Sequence, residues 1–272
     1  MSDPRALPLD VLGDALAADP ARPAVTFYDG ATGERVELSV ATLANWVAKT
    51  ANLLVDDLAV APGATVALDL PPHWLGPVWL LAAWTVGAEV VLDDSPTDQQ
   101  DGGVDVLVLP HDRAADGKLP DTAAARGAGE VVLVSTLPLG APPPLPLPGG
   151  AVDYAREVPA HGDHWSGPVP PPASAALRIG PQRRTRAELR TALAGEPVGG
   201  RGDRVLSALP LGPGTDLDLL LTALLRPLAT GAGAVLLAHA EVPDGDRLAA
   251  LAAQERVTAT AGLVVDGAVR LG

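Results

Sequence analysis

The chain has 272 residues, no cysteine, and 33 acidic against 19 basic residues, a formal charge of −14. Zero cysteine excludes a disulfide scaffold, thiolate-held zinc, iron–sulfur clusters and a thiol nucleophile, and the acidic balance argues against nucleic acid or an anionic membrane as a partner. Hydrophobic residues make up 47%, enough for a sizeable folded core.

Residues 1–20 carry Asp3, Asp10, Asp14 and Asp19 rather than a basic stretch before an apolar one, so no secretory leader is expected. The longest apolar run, 74–88, is too short to span a bilayer and contains Gly76 and Pro77. The expected setting is the cytoplasm. Lys49 and Lys118 are the two lysines, so a lysine-dependent reaction has few candidates.

Leu9 to Ala18 reads as a short helix, ended near Pro20 and Pro23. The alternating segments 24–30 and 34–39, around Gly30 and Gly33, predict a hairpin with one buried face. Ser39 is a good N-cap, and Val40, Leu43, Val47, Ala51, Leu54 and Leu58 follow helical spacing. Pro62-Gly63 marks a turn before a continuously apolar strand, as in a central parallel strand. A helix over about 74–86 and a strand at 89–94 complete a βαβ unit.

Segments 105–110 and 130–136 are two more apolar strands. The proline-rich 138–150 cannot be regular structure, because proline removes donors and fixes φ. A short element near 152–157 precedes a second Pro/Gly-rich stretch, 159–172. Alternation then resumes: strand 175–179, a helix capped by Thr185 to about Ala194, strand 204–211, helix 216–229, strand 234–239, helix 244–254 and strand 257–263. The fold class is α/β, a mostly parallel sheet between helix layers. The expectation is a single domain over 1–272, with one lobe over about 1–137, a second over about 173–272, and the proline-rich 138–172 either linking them or forming a long surface loop of the one domain.

The ordered series of hairpin, helix after Ser39, PG-x-x-V-A-x-x-L-P at 62–71, tryptophan-rich helix and GA-x-V-V at 87–91 resembles the N-terminal part of adenylate-forming enzymes. That superfamily includes acyl-CoA synthetases, peptide-synthetase adenylation domains and firefly luciferase. The segment 202–263, with LPL after a strand and a later GA-x-V-L-L strand, is similar to a later part of the same family. The resemblance covers about 22–110 and 173–263, and implies the αβα large domain or its first half.

The resemblance also implies a Ser/Thr/Gly-rich loop ending in lysine between these halves, which would embrace ATP phosphates through backbone N–H groups. The corresponding stretch, 175–189, has one glycine, one threonine and no lysine. The adenine- and magnesium-binding segment, the ribose aspartate and the lysine-bearing C-terminal domain of the family are expected beyond Gly272. The expectation is therefore a degenerate, non-catalytic relative with no cofactor, binding a small ligand or a protein partner, including a second copy. The alternative is an enzyme with altered chemistry, or one completed by another chain, using ATP or AMP with magnesium. Segment 175–190 discriminates: a wide turn with converging N–H groups keeps phosphate binding, a tight turn closes it.

Several residues are candidates for sites. Arg183, Arg184 and Arg186, with Arg190, could form an anion site at a helix start; the bland alternative is a solvated helix face. His73 and Trp74, and Ser135 and Thr136, follow strand ends, where α/β sheets tend to bind ligands, and mark a candidate pocket edge. His161, Asp163 and His164 could supply metal ligands, but a solvated loop is the better reading and no metal is expected. Arg201-Gly202-Asp203 reads as a turn, and Asp93-Asp94 as strand-end acids. Trp74, Trp79 and Trp84 read as helix packing or a partner face. No G-x-S-x-G surrounds a serine, so no hydrolase nucleophile and no catalytic residue is assigned.

Overall fold

The computed structural model describes residues 9–92, 103–114, 118–119, 127–143, 147–194, 198–240, 245–265 and 267–271. Asp93 and Asp94 lie outside the described residues.

Two sheets share one core. The first contains β1 (Pro23–Asp29), β2 (Arg35–Ser39), β10 (Arg204–Ser207), β11 (Gly233–Ala238), β12 (Ala259–Ala261) and β13 (Val269–Leu271), in the order β13-β12-β10-β11-β1-β2. The second contains β3 (Thr65–Leu68), β4 (Glu89–Val91), β5 (Val106–Pro110), β6 (Glu130–Val134), β7 (Ala151–Asp153), β8 (Ala175–Ile179) and β9 (Gln182–Thr185), in the order β7-β6-β5-β3-β4-β8-β9. Pairing is parallel except in the hairpins β1–β2 and β8–β9. The α/β class and its mostly parallel pairing hold, but the strands form two sheets rather than one. Alternation reveals which segments are strands, not which sheet each joins.

This partition does not follow the proline-rich stretch. β1 and β2, from the chain's start, pair with β11 from its end, Val25 opposite Ala234. β8 and β9, which follow residue 172, close the sheet of β3 to β7 by pairing with β4. The boundaries at 137 and 173 are thus not boundaries between sheets.

The main core joins both sheets through helices α2 (Val40–Asp56) and α3 (Leu75–Thr85). Ser39 caps α2, its side chain accepting from Thr42 N–H at 3.1 Å, so one of the free amides of the first turn is satisfied. Every residue of α3 is buried, as expected for a helix that is apolar all round. Trp79 packs against Tyr154, and Trp84 Nε1–H donates to Ala176 C=O at 2.6 Å, so these tryptophans are core. β1 is buried on both faces, not one. Its outer side, through Tyr28, packs with Leu248, Leu251 and Ala252 of the helix Gly245–Gln254.

The 216–229 helix contains a wide turn. It runs from Leu217–Leu220 through a π-helical stretch, Leu221–Leu225, to Arg226–Thr230. Pro227 lacks the N–H that a regular helix needs there, and the preceding turn loosens. The HGDHW segment docks on α2. Asn52 Nδ2 donates to the carbonyls of Gly162 (2.8 Å) and His164 (3.1 Å), and His161 Nε2 meets Asp57 at 3.0 Å. Arg201-Gly202-Asp203 is a turn into β10, with Gly200 N–H bonded to the Asp203 carboxylate at 2.8 Å. Among the described residues no helix is long and apolar enough to cross a membrane.

Candidate functional site

The basic run does not converge into one site. β8 turns into β9 through Gly180 and Pro181, with Ile179 opposite Gln182. Gly180 has φ +53°, and Pro181 supplies the negative φ that follows, the pattern of a two-residue hairpin with glycine first. The run QRRT is therefore a strand, where an approach to the helix was expected. Arg183 forms a fork with the buried Glu89, Nε to Oε1 at 2.7 Å and a terminal N–H to Oε2 at 2.9 Å. Arg184 is held to Gln182 on the surface.

Arg186 is 1% exposed and donates to Trp84 C=O (3.0 Å), Ala88 C=O (3.1 Å), Ala175 C=O (2.5 Å) and Ser174 Oγ (3.1 Å). Desolvation lowers its pKa to about 10. The cation sits at the C-terminal end of α3, where carbonyl ends favour positive charge. Arg183 and Arg186 thus have internal partners, and an anion would have to displace them.

A different place collects the strand-end residues. β3, β5 and β6 of one sheet and β1, β10 and β11 of the other finish at the same edge, and a cavity of about 350 Å³ opens between them. Phe27, Asp29, His73, Asp112, Thr136 and His239 are on its wall, with Pro71, Pro72, Ala208 and Leu237 as apolar surface. The sheets are tied beside it by reciprocal backbone bonds between Leu70 and Leu211, each 2.9 Å. Gly212 permits that approach, since a Cβ there would lie 2.9 Å from Asp69 Cα.

His73 is 4% exposed. Its Nδ1 accepts from Leu75 N–H at 3.3 Å at the start of α3, and its ring meets Phe27 at 4.7 Å. An amide N–H can only donate, so Nδ1 is bare and the neutral ring carries its proton on Nε2. That buried Nε2 has no hydrogen-bond partner among the described residues. Burial lowers the pKa to about 4, opposed by the charge of Asp29. For Asp29, burial acts upward, but bonds from Ala31 N–H, His239 Nδ1 and Thr32 outweigh it and hold the carboxyl below its ordinary range.

Of the four pocket-edge residues read from the sequence, His73 and Thr136 are on this wall. Trp74 packs edge-on against Trp46 at 5.2 Å. The Ser135 hydroxyl donates to Ala141 C=O at 2.5 Å and shapes the following loop. Asp29, Asp112 and His239 escaped the sequence reading. Each stands at or just past the end of a parallel strand, the signal that would have found them.

A larger cavity, about 480 Å³, lies at the opposite edge, beside the starts of β1, β10 and β11. Its buried carboxylate is already served: Glu255 accepts from Tyr28 Oη–H at 2.5 Å and from Arg35 and Arg204. The strand-end cavity, at the carboxyl ends of parallel strands where α/β sheets bind ligands, is the stronger candidate.

The two coupled sheets and a cavity at the carboxyl ends of their strands define a protein of the acyl-CoA synthetase type in fold. An acyl-CoA synthetase from Brucella canis superposes over 96% of this chain with a TM-score of 0.74 at 17% identity, and an anthranilate CoA ligase, AuaEII, solved with anthranoyl-AMP, over 96% with a TM-score of 0.69 at 14% identity. The chain spans about half the length of these two structures, 48% and 50%. No family model matches it. A Mycobacterium tuberculosis protein, described as a TIGR03089 family protein, is 41% identical over 261 residues, which are 95% of this chain and 99% of that one. The chain belongs to that TIGR03089 family.

Proposed function

We propose that this protein is a non-catalytic relative of adenylate-forming enzymes that binds a small ligand in the strand-end cavity, in the cytoplasm. The observation that carries this reading is the Gly180–Pro181 turn. A phosphate-embracing loop needs several backbone N–H groups free to point at one anion. A two-residue hairpin ties its backbone into strand pairing instead. Arg183 and Arg186, two of the cations near that turn in sequence, are engaged with Glu89 and with carbonyls.

Calorimetric titration with ATP·Mg, AMP and an acyl-CoA tests the reading. No binding is expected at about 1 mM of any of them. Heat from ATP or AMP, with a matching rise in melting temperature, overturns it.

The fold likeness to the solved enzymes supports a second reading, an enzyme completed by another chain. The edge strand β13, with Val264 and Val269 exposed beside and on it, is where that chain or a second copy would pair. A monomer in sedimentation at high micromolar concentration removes the second copy.

A further inference from the structure

The cavity of about 480 Å³ at the strand starts has a basic wall in an acidic protein. Arg22, Arg35, Arg201, Arg204 and Arg256 stand on it against Asp19, Asp203 and Glu255, five cations to three anions in a chain of net charge −14. The three carboxylates are engaged within the protein. Glu255 is held by Tyr28, Arg35 and Arg204, Asp203 accepts from Gly200 N–H at 2.8 Å, and Asp19 accepts from Ala21 N–H at 3.2 Å.

Three of the cations are not so engaged. Arg22 is half-buried and fixed by carbonyls, donating to Ala232 C=O at 2.9 Å and to Leu228 C=O at 3.1 Å. Among the described residues, the side chains of Arg201 and Arg256 have neither a hydrogen bond nor an ion pair. Burial lowers the pKa of Arg22; Asp19 opposes this and the charge of Arg201 adds to it, so the two guanidiniums are close enough to repel. An anion between them relieves that repulsion.

The open cations form a row. Arg256 precedes β12, Arg201 precedes β10 and Arg22 precedes β1, in a sheet ordered β12-β10-β11-β1 across this part. Neighbouring strands lie about 4.8 Å apart, so the backbones of Arg256 and Arg22 are separated by roughly 14 Å. Charge spread along a row matches a molecule with anionic groups at separate positions better than a single phosphate. Guanidinium meets each carboxylate through a planar two-point contact. Apart from Pro23, the described wall has no aliphatic or aromatic side chain, so it offers no surface to a nucleobase or an acyl chain. Arg256 adds a mark of its own. It holds φ +53° just past the helix Gly245–Gln254, in the left-handed region that glycine occupies at lowest cost.

We propose that this cavity binds a compact di- or tricarboxylate, with one carboxylate between Arg22 and Arg201 and another on Arg256. The site is separate from the strand-end cavity and does not rest on it.

Calorimetry and melting curves on the full chain test this at neutral pH and about 0.1 M ionic strength, where exposed charges beyond roughly 10 Å are screened. The probes are citrate, succinate, acetate and inorganic phosphate. Citrate is expected to bind with a Kd below about 1 mM and succinate more weakly, with acetate and phosphate at least about tenfold weaker than citrate. Arg256→Gly relieves the backbone, so it should keep or raise the melting temperature while weakening citrate by at least about threefold. Arg201→Gln, in an exposed turn, should weaken citrate to a similar degree. Arg184→Ala removes the same charge from a different surface and should leave citrate unchanged.

Absence of citrate binding at about 10 mM overturns the proposal. So does phosphate binding as tightly as citrate, which would make this a single-anion site. Equal weakening by Arg184→Ala and Arg256→Gly overturns it too, because the anion would then respond to overall charge and not to this wall. None of these results bears on the strand-end cavity.

Discussion

Arg183 and Arg184 are neighbours on one hairpin strand, yet the structure gives them opposite weight. Arg183 closes a two-point contact with Glu89, whose side chain is 3% exposed, whereas Arg184 bonds Gln182 at the surface. Removing one member of a pair whose carboxylate is buried leaves an uncompensated charge. Arg183→Ala is expected to destabilise by about 2–4 kcal/mol, and Arg184→Ala by no more than about 0.5 kcal/mol. Urea unfolding of the two variants checks this; equal effects would return the run to the status of a solvated surface. His73 yields a pH prediction. Its proton is held near pH 6.5 in the unfolded chain and near 4 in the folded one, so between those values the unfolded state binds more protons. Stability then rises with pH: the contribution is complete above about 6.5 and is lost as pH falls toward 4, roughly 3 kcal/mol in all. Asp29, with its lowered pKa, adds a loss of the same sign at lower pH. Urea midpoints measured across this window should fall with acid in the wild type and fall less in His73→Asn. An identical slope would mean that His73 is not a neutral buried ring.

At the level of elements, the Gly180–Pro181 turn is the smallest feature on which the functional reading depends. A Cβ at Gly180 meets nothing within 4 Å, so Gly180→Ala tests backbone strain alone. With φ at +53°, the substitution is expected to cost about 1–2 kcal/mol, read as a lowered urea midpoint. No cost would mean that the turn relaxes and can open. The same hairpin shows what a sequence reveals at this scale. Thr185 and Ser39 were legible as caps because capping chemistry is local. Thr185 accepts from Glu188 N–H at 3.2 Å while Glu188 reaches back to Thr185 N–H at 2.7 Å. β9 was not legible, since Gln182–Thr185 has no apolar residue to set a period and is a strand through its pairing with β8. The π-helical turn before Pro227 was equally hidden, because leucines at helical spacing mask a single missing donor. Two of the four residues read as a pocket edge, His73 and Thr136, line the cavity. The burial of His73 was not legible, because it depends on Phe27 arriving from the other sheet.

At the scale of the molecule, the division of strands between sheets determines how the chain can be taken apart. A cut at the proline-rich connection, between residues 172 and 173, would separate β1 from β11 and β4 from β8, so each fragment would expose a sheet face and an unpaired edge. The main core cannot be assigned to one side either, since it includes Val25 and Phe27 from the start, Trp79 from the middle and Leu224 and Leu236 from the end. Neither 1–172 nor 173–272 is therefore expected to fold cooperatively alone. Each should lack the near-ultraviolet dichroism of packed aromatic side chains, and mixing the two should restore it. The intact chain should unfold with coincident tryptophan fluorescence and far-ultraviolet signals, as a single shared core requires. Cooperative unfolding of either fragment by itself would place a true domain boundary at the prolines. The strand-end cavity would then lie between independently stable units instead of within one, and ligand affinity would depend on how firmly they dock.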